Sequence, residues 1–190
     1  LEISILKYTS ELANLMAEES TINKERNRLL ECLRLKEVVR AGWTRFPIKN
    51  PETVASHSWG MALLGLLTCP ENLNLEKVLT LALIHDLAEV IVGDLTPYDP
   101  EPEGGKRAAE ENAIAQLLAG HPRSEELQKL WQEFEDRTTP EGLFVAGLDK
   151  LDMGLQAEIY ENDFDINLDE FTNASRRMVT DPYLSSLLKS

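Results

Sequence analysis

Apolar residues along this chain recur three and four positions apart almost throughout, and alternating or β-branched runs are scarce. That spacing puts the apolar side chains of a helix on one face, whereas a half-buried strand needs a period of two. The pattern predicts an all-α protein with about eight or nine helices. They cover 4–18, 23–39, 53–67, 75–91, 104–119, 123–137, 140–161, 167–179 and 181–188. Punctuation supports several ends: Asn74 precedes LEKV as an N-cap, Gly93 follows the fourth helix, and Pro140 suits a first helical turn. Two connections are long and rich in Pro and Gly, AGWTRFPIKNPET at 41–53 and GDLTPYDPEPEGG at 93–105. Loops of that length inside a compact domain are more often functional than idle.

Length narrows this to one domain over 1–190, since 190 residues bury a single sizeable core without staples. No repeat, low-complexity segment or interdomain linker interrupts it. The chain is 43% hydrophobic and 27% charged, an ordinary globular mix. Its 19 Lys and Arg face 33 Asp and Glu, a formal charge of −14 that works against DNA, RNA or anionic lipid as partners. A small phosphorylated ligand survives that exclusion, because a metal ion or a few local cations reverse the sign inside one pocket. Cys32 and Cys69 have neither disulfide nor metal spacing, so both are expected to pack in a reducing, cytoplasmic setting. The richest apolar runs, MALLGLL and LTLALI, fall short of a membrane span, and no signal-peptide pattern is present. The first residue is Leu1 rather than Met, so an upstream segment is an expectation.

Candidate chemistry is concentrated in LALIHDLAEVIVGD, 81–94. On an ideal helix with His85 at 0°, Asp86 falls at about 100° and Glu89 at about 40°, one ionisable arc. Leu83, Ile84, Leu87, Ala88, Val90 and Ile91 take the opposite face, and Ala82 leaves room within the arc. A solvated face with an i to i+4 pair of His85 and Glu89 has the same appearance. The chain has three histidines. His57, in TVASHSWGMALLG, stands near a helix start, where a plain cap is the ordinary alternative. His121, in AGHPRS, lies in a polar turn and is expected to face solvent. In LFVAGLDKLDMGLQAEIY, Leu148, Leu151, Leu155 and Ile159 form a stripe at helical spacing that Asp149 and Asp152 interrupt. A carboxylate turned inward there needs a cation to offset its desolvation, and helical geometry does not choose between the two aspartates.

Taken together, His57, His85 with Asp86, and a later aspartate resemble the H…HD…D signature of the HD-domain metal-dependent phosphohydrolases. NPETVASHSWGMA, LALIHDLAEVIVGDLTP and FVAGLDKLDMGLQAEIY look like the 5′-deoxynucleotidase branch, and the resemblance covers roughly 23–180. It implies a single HD-type helical domain with His57, His85, Asp86 and Asp149 as ligands of one divalent Mn, Co, Zn or Mg ion. It implies Glu89 and Asp94 as catalytic groups, deoxyribonucleoside 5′-monophosphates as substrates, and a homodimer. It makes AGWTRFPIKNPE the substrate loop, with Trp43 matching. Where some bacterial members place Arg before that Trp, this chain has Gly42, so Arg40 and Arg45 both stand as phosphate-binding candidates. Lys106, with Arg107 beside it, is a weaker candidate at a helix start. The competing expectations are an HD hydrolase of another small phosphate ester and a non-catalytic acidic helical module.

Overall fold

The computed structural model describes residues 2–188, with side chains for Met16 and for 19–188. Among the described residues there are helices and one isolated bridge but no strand, so the all-α expectation holds. None of these helices is long and apolar enough to cross a membrane.

Helix α1 runs unbroken over Glu2–Leu33, where the pattern predicts two helices separated at 19–22. Ser20 and Thr21 suggest caps, but in the absence of Pro or Gly they are only mildly unfavourable inside a helix. The chain then tightens into a 3-10 turn at Arg34–Glu37, ending the helix short of residue 39. Val39 pairs with Thr53 in an antiparallel bridge, with Arg40 N–H donating to Glu52 O at 3.0 Å and Val54 N–H to Val38 O at 2.8 Å. This clip closes the first long loop, which holds its own 3-10 segment, Ala41–Arg45.

Helix α2 covers Val54–Thr68, capped by the Thr53 side chain accepting from Ser56 N–H. Helix α3 covers Leu75–Ile84, capped by Asn74 accepting from Lys77 N–H. A short α4, Glu89–Val92, ends at Gly93, whose φ of 77° suits a residue without Cβ. After the second long loop come α5 (Lys106–Leu117) and α6 (Ser124–Asp136). The longest well-packed element is α7, Pro140–Phe164, with Thr139 as N-cap and Pro140 in its first turn. Two short helices follow, α8 (Asp169–Met178) and α9 (Pro182–Ser186).

Helix α7 packs against α2, α3, α6, α8 and α9. Its Leu148 and Leu151 are fully buried with Met61, Val78, Leu81 and Leu184. The predicted stripe fails at its end, because Ile159 is 51% exposed and the buried line passes instead through Ala157 and Tyr160. The second half of α7 turns a different face inward, toward a smaller core of Trp43, Ile48 and Leu168. His121 is half-buried rather than open to solvent, its Nδ1 accepting from Arg123 N–H at 3.1 Å. Cys32 and Cys69 are free and half-buried.

Candidate metal centre and substrate cleft

The predicted helix over 75–91 is broken in the middle. His85 N–H closes the last α-type bond before the break, to Leu81 O. Beyond it, Leu87 N–H donates to Ile84 O, Glu89 N–H to Asp86 O and Val90 N–H to Leu87 O, all three residues back. The overwound turn leaves the His85 carbonyl without its helical partner, and the buried indole of Trp131 on α6 donates to it at 2.9 Å. The ideal-helix arc therefore does not describe this segment; Leu83 and Ile91, assigned to its buried face, are 54% and 41% exposed. What the turn achieves is adjacency, with His85 Nε2 lying 3.0 Å from Asp86 Oδ2.

His57 comes to the same place from the first turns of α2 and is fully buried. Its Nε2 lies 3.4 Å from Asp149 Oδ1 and 3.8 Å from Asp86 Oδ2. Its other nitrogen, Nδ1, is 2.7 Å from Asp152 Oδ2. Asp149 and Asp152 stand three residues apart on α7, hence on one face. They meet opposite poles of one imidazole, separating two aspartates that helical spacing alone left equivalent. His85 Nδ1 is 2.9 Å from Ala82 O. Both Nδ1 atoms thus have oxygen partners, while both Nε2 atoms lie close to Asp86 Oδ2.

Those two Nε2 atoms are buried and have no hydrogen-bond partner, and the same is true of Glu89 Oε2. Ligand atoms of His57, His85 and Asp86 lie within 4.8 Å of one another. Unpartnered buried polar atoms are rare in folded proteins. Two such imidazole nitrogens with Asp86 and Asp149 alongside form a nitrogen and oxygen donor set that fits a divalent transition ion or magnesium.

The charges are tightly balanced. Burial and the Arg40 charge oppose protonation of His57, but the neighbouring carboxylates of Asp149 and Asp152 outweigh them and hold it up at about 9. Burial would raise Asp86, yet His85, Arg40 and His57 bring it well below the carboxylate range. Asp149 is likewise lowered, with Lys150, at 2.8 Å, and His57 overcoming burial. Glu89 goes the other way, pushed up to about 10 by burial and by the neighbouring Asp86 and Asp94.

His85, Asp86, Glu89 and Asp149 floor a cleft of about 520 Å³ whose walls carry Arg40, Lys106, Arg107, Arg137 and Lys150, with His57 buried beneath it. Carboxylates line it too, with Asp94, Glu110 and Glu135 beside Asp86, Glu89 and Asp149, so most of these cations stand against an acid. Arg40 reaches Asp86 with Nη1 at 3.4 Å. Lys106 donates to Leu95 O at 3.3 Å and pairs with Glu110, and Arg107 pairs with Glu111, Glu135 and Asp136. An adjoining chamber of about 350 Å³ shares Arg40, Asp94, Leu95 and Lys150, and adds Trp43, Tyr98, Met153, Phe171 and Met178. Trp43 is nearly all buried, its indole donating to Glu52 at 2.8 Å and its ring 4.3 Å from that of Phe171. Asp94 Oδ2 accepts from Ala41 N–H at 2.7 Å, tying the second loop to the first. Arg45 sits in this second chamber, paired with Glu170 and 4.6 Å from the Tyr98 ring. The structure thus separates the two arginine candidates: Arg40 belongs with the histidines and Arg45 does not.

Sequence reasoning did not single out Lys150, Arg137 or Trp131, and it held Asp152 only as an alternative to Asp149. Lys150 was within reach, since it follows Asp149 directly. The others depend on contacts across the fold.

Fold and donor set define an all-helical protein with a histidine and carboxylate centre beneath a cleft lined by charged groups of both signs. A sequence model of the HD domain matches residues 32–185, and the chain belongs to that family. It is 42% identical over 140 residues to the Bos taurus protein named 5′-deoxynucleotidase HDDC2, covering 70% of this chain and 68% of that one. A conserved hypothetical protein from Pyrococcus furiosus superposes with a TM-score of 0.71 at 32% identity, covering 85% of this chain and 95% of its own. A predicted metal-dependent phosphohydrolase from Magnetospirillum magnetotacticum gives a TM-score of 0.70 at 25% identity, covering 90% of both chains.

Proposed function

We propose that this protein is a metal-dependent phosphohydrolase that removes the 5′-phosphate from deoxyribonucleoside 5′-monophosphates. The observation that carries it is the pair of buried, unpartnered Nε2 atoms of His57 and His85 beside Asp86 and Asp149, with Arg40 and Lys150 lining the adjoining cleft. The activity named for the Bos taurus relative supports the substrate class. That relative also weighs against the non-catalytic helical module.

In this reading His57, His85, Asp86 and Asp149 hold one divalent ion, of the Mn, Co, Zn or Mg group. Such an ion supplies Lewis acidity toward phosphoryl oxygens and water. Arg40 and Lys150, with Lys106 further out, bind the phosphate dianion in the cleft. Glu89 keeps a proton on its buried carboxyl and releases it toward the departing 5′ oxygen, acting as general acid. Asp94 holds the Ala41 end of the substrate loop, keeping Trp43 at the border between phosphate and sugar. Arg45 braces the outer chamber.

The partner is a small nucleotide rather than a long nucleic acid, which the charge of −14 disfavours. The outward face of α2, with Trp59, Leu63, Leu66 and Leu67 exposed, supports a homodimer. Two free cysteines support a reducing, cytoplasmic setting.

The test is phosphate release from dAMP, dGMP and TMP against the matching ribonucleotides, with Mn²⁺ or Co²⁺ added. Release from the deoxy series is expected, and none from any monophosphate would overturn the reading. His85→Ala is expected to empty the site, whereas Glu89→Gln keeps the ion and lowers turnover by about 10²–10⁴-fold.

A further inference from the structure

An imidazole can ligate a cation through Nε2 only if its proton sits on Nδ1, and the proton stays there only if an acceptor holds it. His85 meets this requirement with a backbone carbonyl, Ala82 O at 2.9 Å, which no side-chain change removes. His57 meets it with a side chain. Asp152 Oδ2 stands 2.7 Å from His57 Nδ1, while Asp149 faces Nε2 from the neighbouring turn of α7. Glu52 is also within reach of this pole, but its Oε1 already accepts from the Trp43 indole.

The close approach of Asp152 depends on one residue. Gly60 lies three positions beyond His57 on α2, on the same face, and a Cβ built there would collide with Asp152 Oδ1. Such a Cβ can be accommodated only if the Asp152 carboxylate moves, and it is this carboxylate whose other oxygen meets His57 Nδ1.

We propose that Asp152 is a positioning residue of the metal centre, fixing His57 with its proton on Nδ1 and Nε2 facing the cation, and that Gly60 is required because it makes room for that carboxylate. This rests on the metal-centre reading above. Asp152 touches neither phosphate nor ion in this arrangement and acts through His57 alone.

The experiment compares Co²⁺ affinity of the wild type, Asp152→Ala, Asp152→Asn and Gly60→Ala, each checked for folding by far-UV circular dichroism. Long-range ¹H–¹⁵N correlations of the Zn²⁺-loaded proteins report which nitrogen of His57 carries the proton. Asp152→Ala is expected to weaken Co²⁺ binding by about 10–100-fold, the usual cost of removing such an outer carboxylate. Asp152→Asn keeps an acceptor without the charge, so it is expected to retain the Nδ1–H tautomer and an intermediate affinity. Gly60→Ala leaves all four ligands intact and substitutes a better helix former, so a structural role alone predicts no loss; we expect about the loss of Asp152→Ala.

Wild-type affinity in both Asp152→Ala and Gly60→Ala, or an unprotonated Nδ1 on His57 in the loaded wild type, overturns the proposal while leaving the hydrolase reading standing. If Asp152→Ala does not fold, Gly60→Ala and Asp152→Asn decide by the same two readouts. A wild type that binds no Co²⁺ overturns the metal-centre reading itself.

Discussion

The two halves of the candidate centre are built by opposite means. His57, Asp149 and Asp152 project from two regular helices, α2 and α7, whose register and mutual packing set their spacing. His85, Asp86 and Glu89 sit where a helix has been broken and overwound, and their arrangement depends on the Trp131 indole across the core. A regular helix places groups three or four apart on one face but holds sequence neighbours about 100° apart. Bringing adjacent His and Asp side chains to one cation therefore favours a break, and a break needs outside support for the carbonyl it strands.

That difference predicts unequal coupling between stability and metal binding in the two halves. Trp131→Ala should cost about 3–5 kcal/mol in chemical denaturation and also weaken Co²⁺ binding, because the 85–88 turn loses its anchor. Leu148→Ala, in the α7 core, should cost a comparable 2–5 kcal/mol or so and leave the affinity of the folded protein nearly unchanged. Equal loss of affinity in both variants would erase the distinction.

The regular half was also the legible half. Periodicity placed α2 and α7, and the family resemblance then assigned Asp149, which the structure puts facing His57 Nε2. Sequence alone could not separate Asp149 from Asp152, since both lie on the inward side of one helix and the choice is made by an imidazole on another. The broken half was legible in residue type and wrong in geometry. His85, Asp86 and Glu89 were read on an unbroken helix because LTLALIHDLAEVIV contains no Pro or Gly to announce a stop. The donor that meets the stranded carbonyl lies 46 residues away in Trp131, beyond the reach of any local pattern. Helix α1 erred in reverse, with cap-type residues and no break.

Proton linkage offers the next test. His57 is raised from 6.5 to about 9, so its stabilising proton is fully in place below pH 6.5 and is lost as pH rises through 9. Glu89, raised from 4.5 to about 10, acts in the same direction, because ionising it in the folded state is the costly step. The metal-free protein is thus expected to lose stability between pH 6.5 and 9, on the order of 3 kcal/mol from His57 alone. Metal binding requires the deprotonated imidazole, so the gain in Tm from Mn²⁺ should grow over the same interval. Melting curves at pH 6, 7.5 and 9 with and without Mn²⁺ check both; a flat metal-free Tm would refute the balance assigned to His57.

A subtler change isolates the anchor from the bulk that carries it. Trp131→Phe keeps a large apolar ring in place and removes one N–H, orphaning the His85 carbonyl at a cost of about 1–3 kcal/mol. If the broken half depends on that bond, Co²⁺ affinity falls in Trp131→Phe even where the variant is well folded. If affinity is unchanged, shape and not the hydrogen bond supports the turn.

The smallest effect is expected outside both halves and separates the two arginines. Arg45 is partly exposed, pairs with an exposed Glu170 and leans on Tyr98, contacts worth under about 1 kcal/mol in such a setting. Arg45→Ala should leave stability and Co²⁺ affinity close to wild type and change kcat only slightly, any cost falling on KM through the outer chamber. Arg40 is buried among Asp86, Asp149 and Asp94, so Arg40→Ala strips the cleft floor of its compensating charge and should lower kcat/KM far more. Steady-state kinetics on dAMP for the two variants side by side decides the matter. A larger kcat loss in Arg45→Ala would move the phosphate into the outer chamber and place the reacting ester away from His57 and His85.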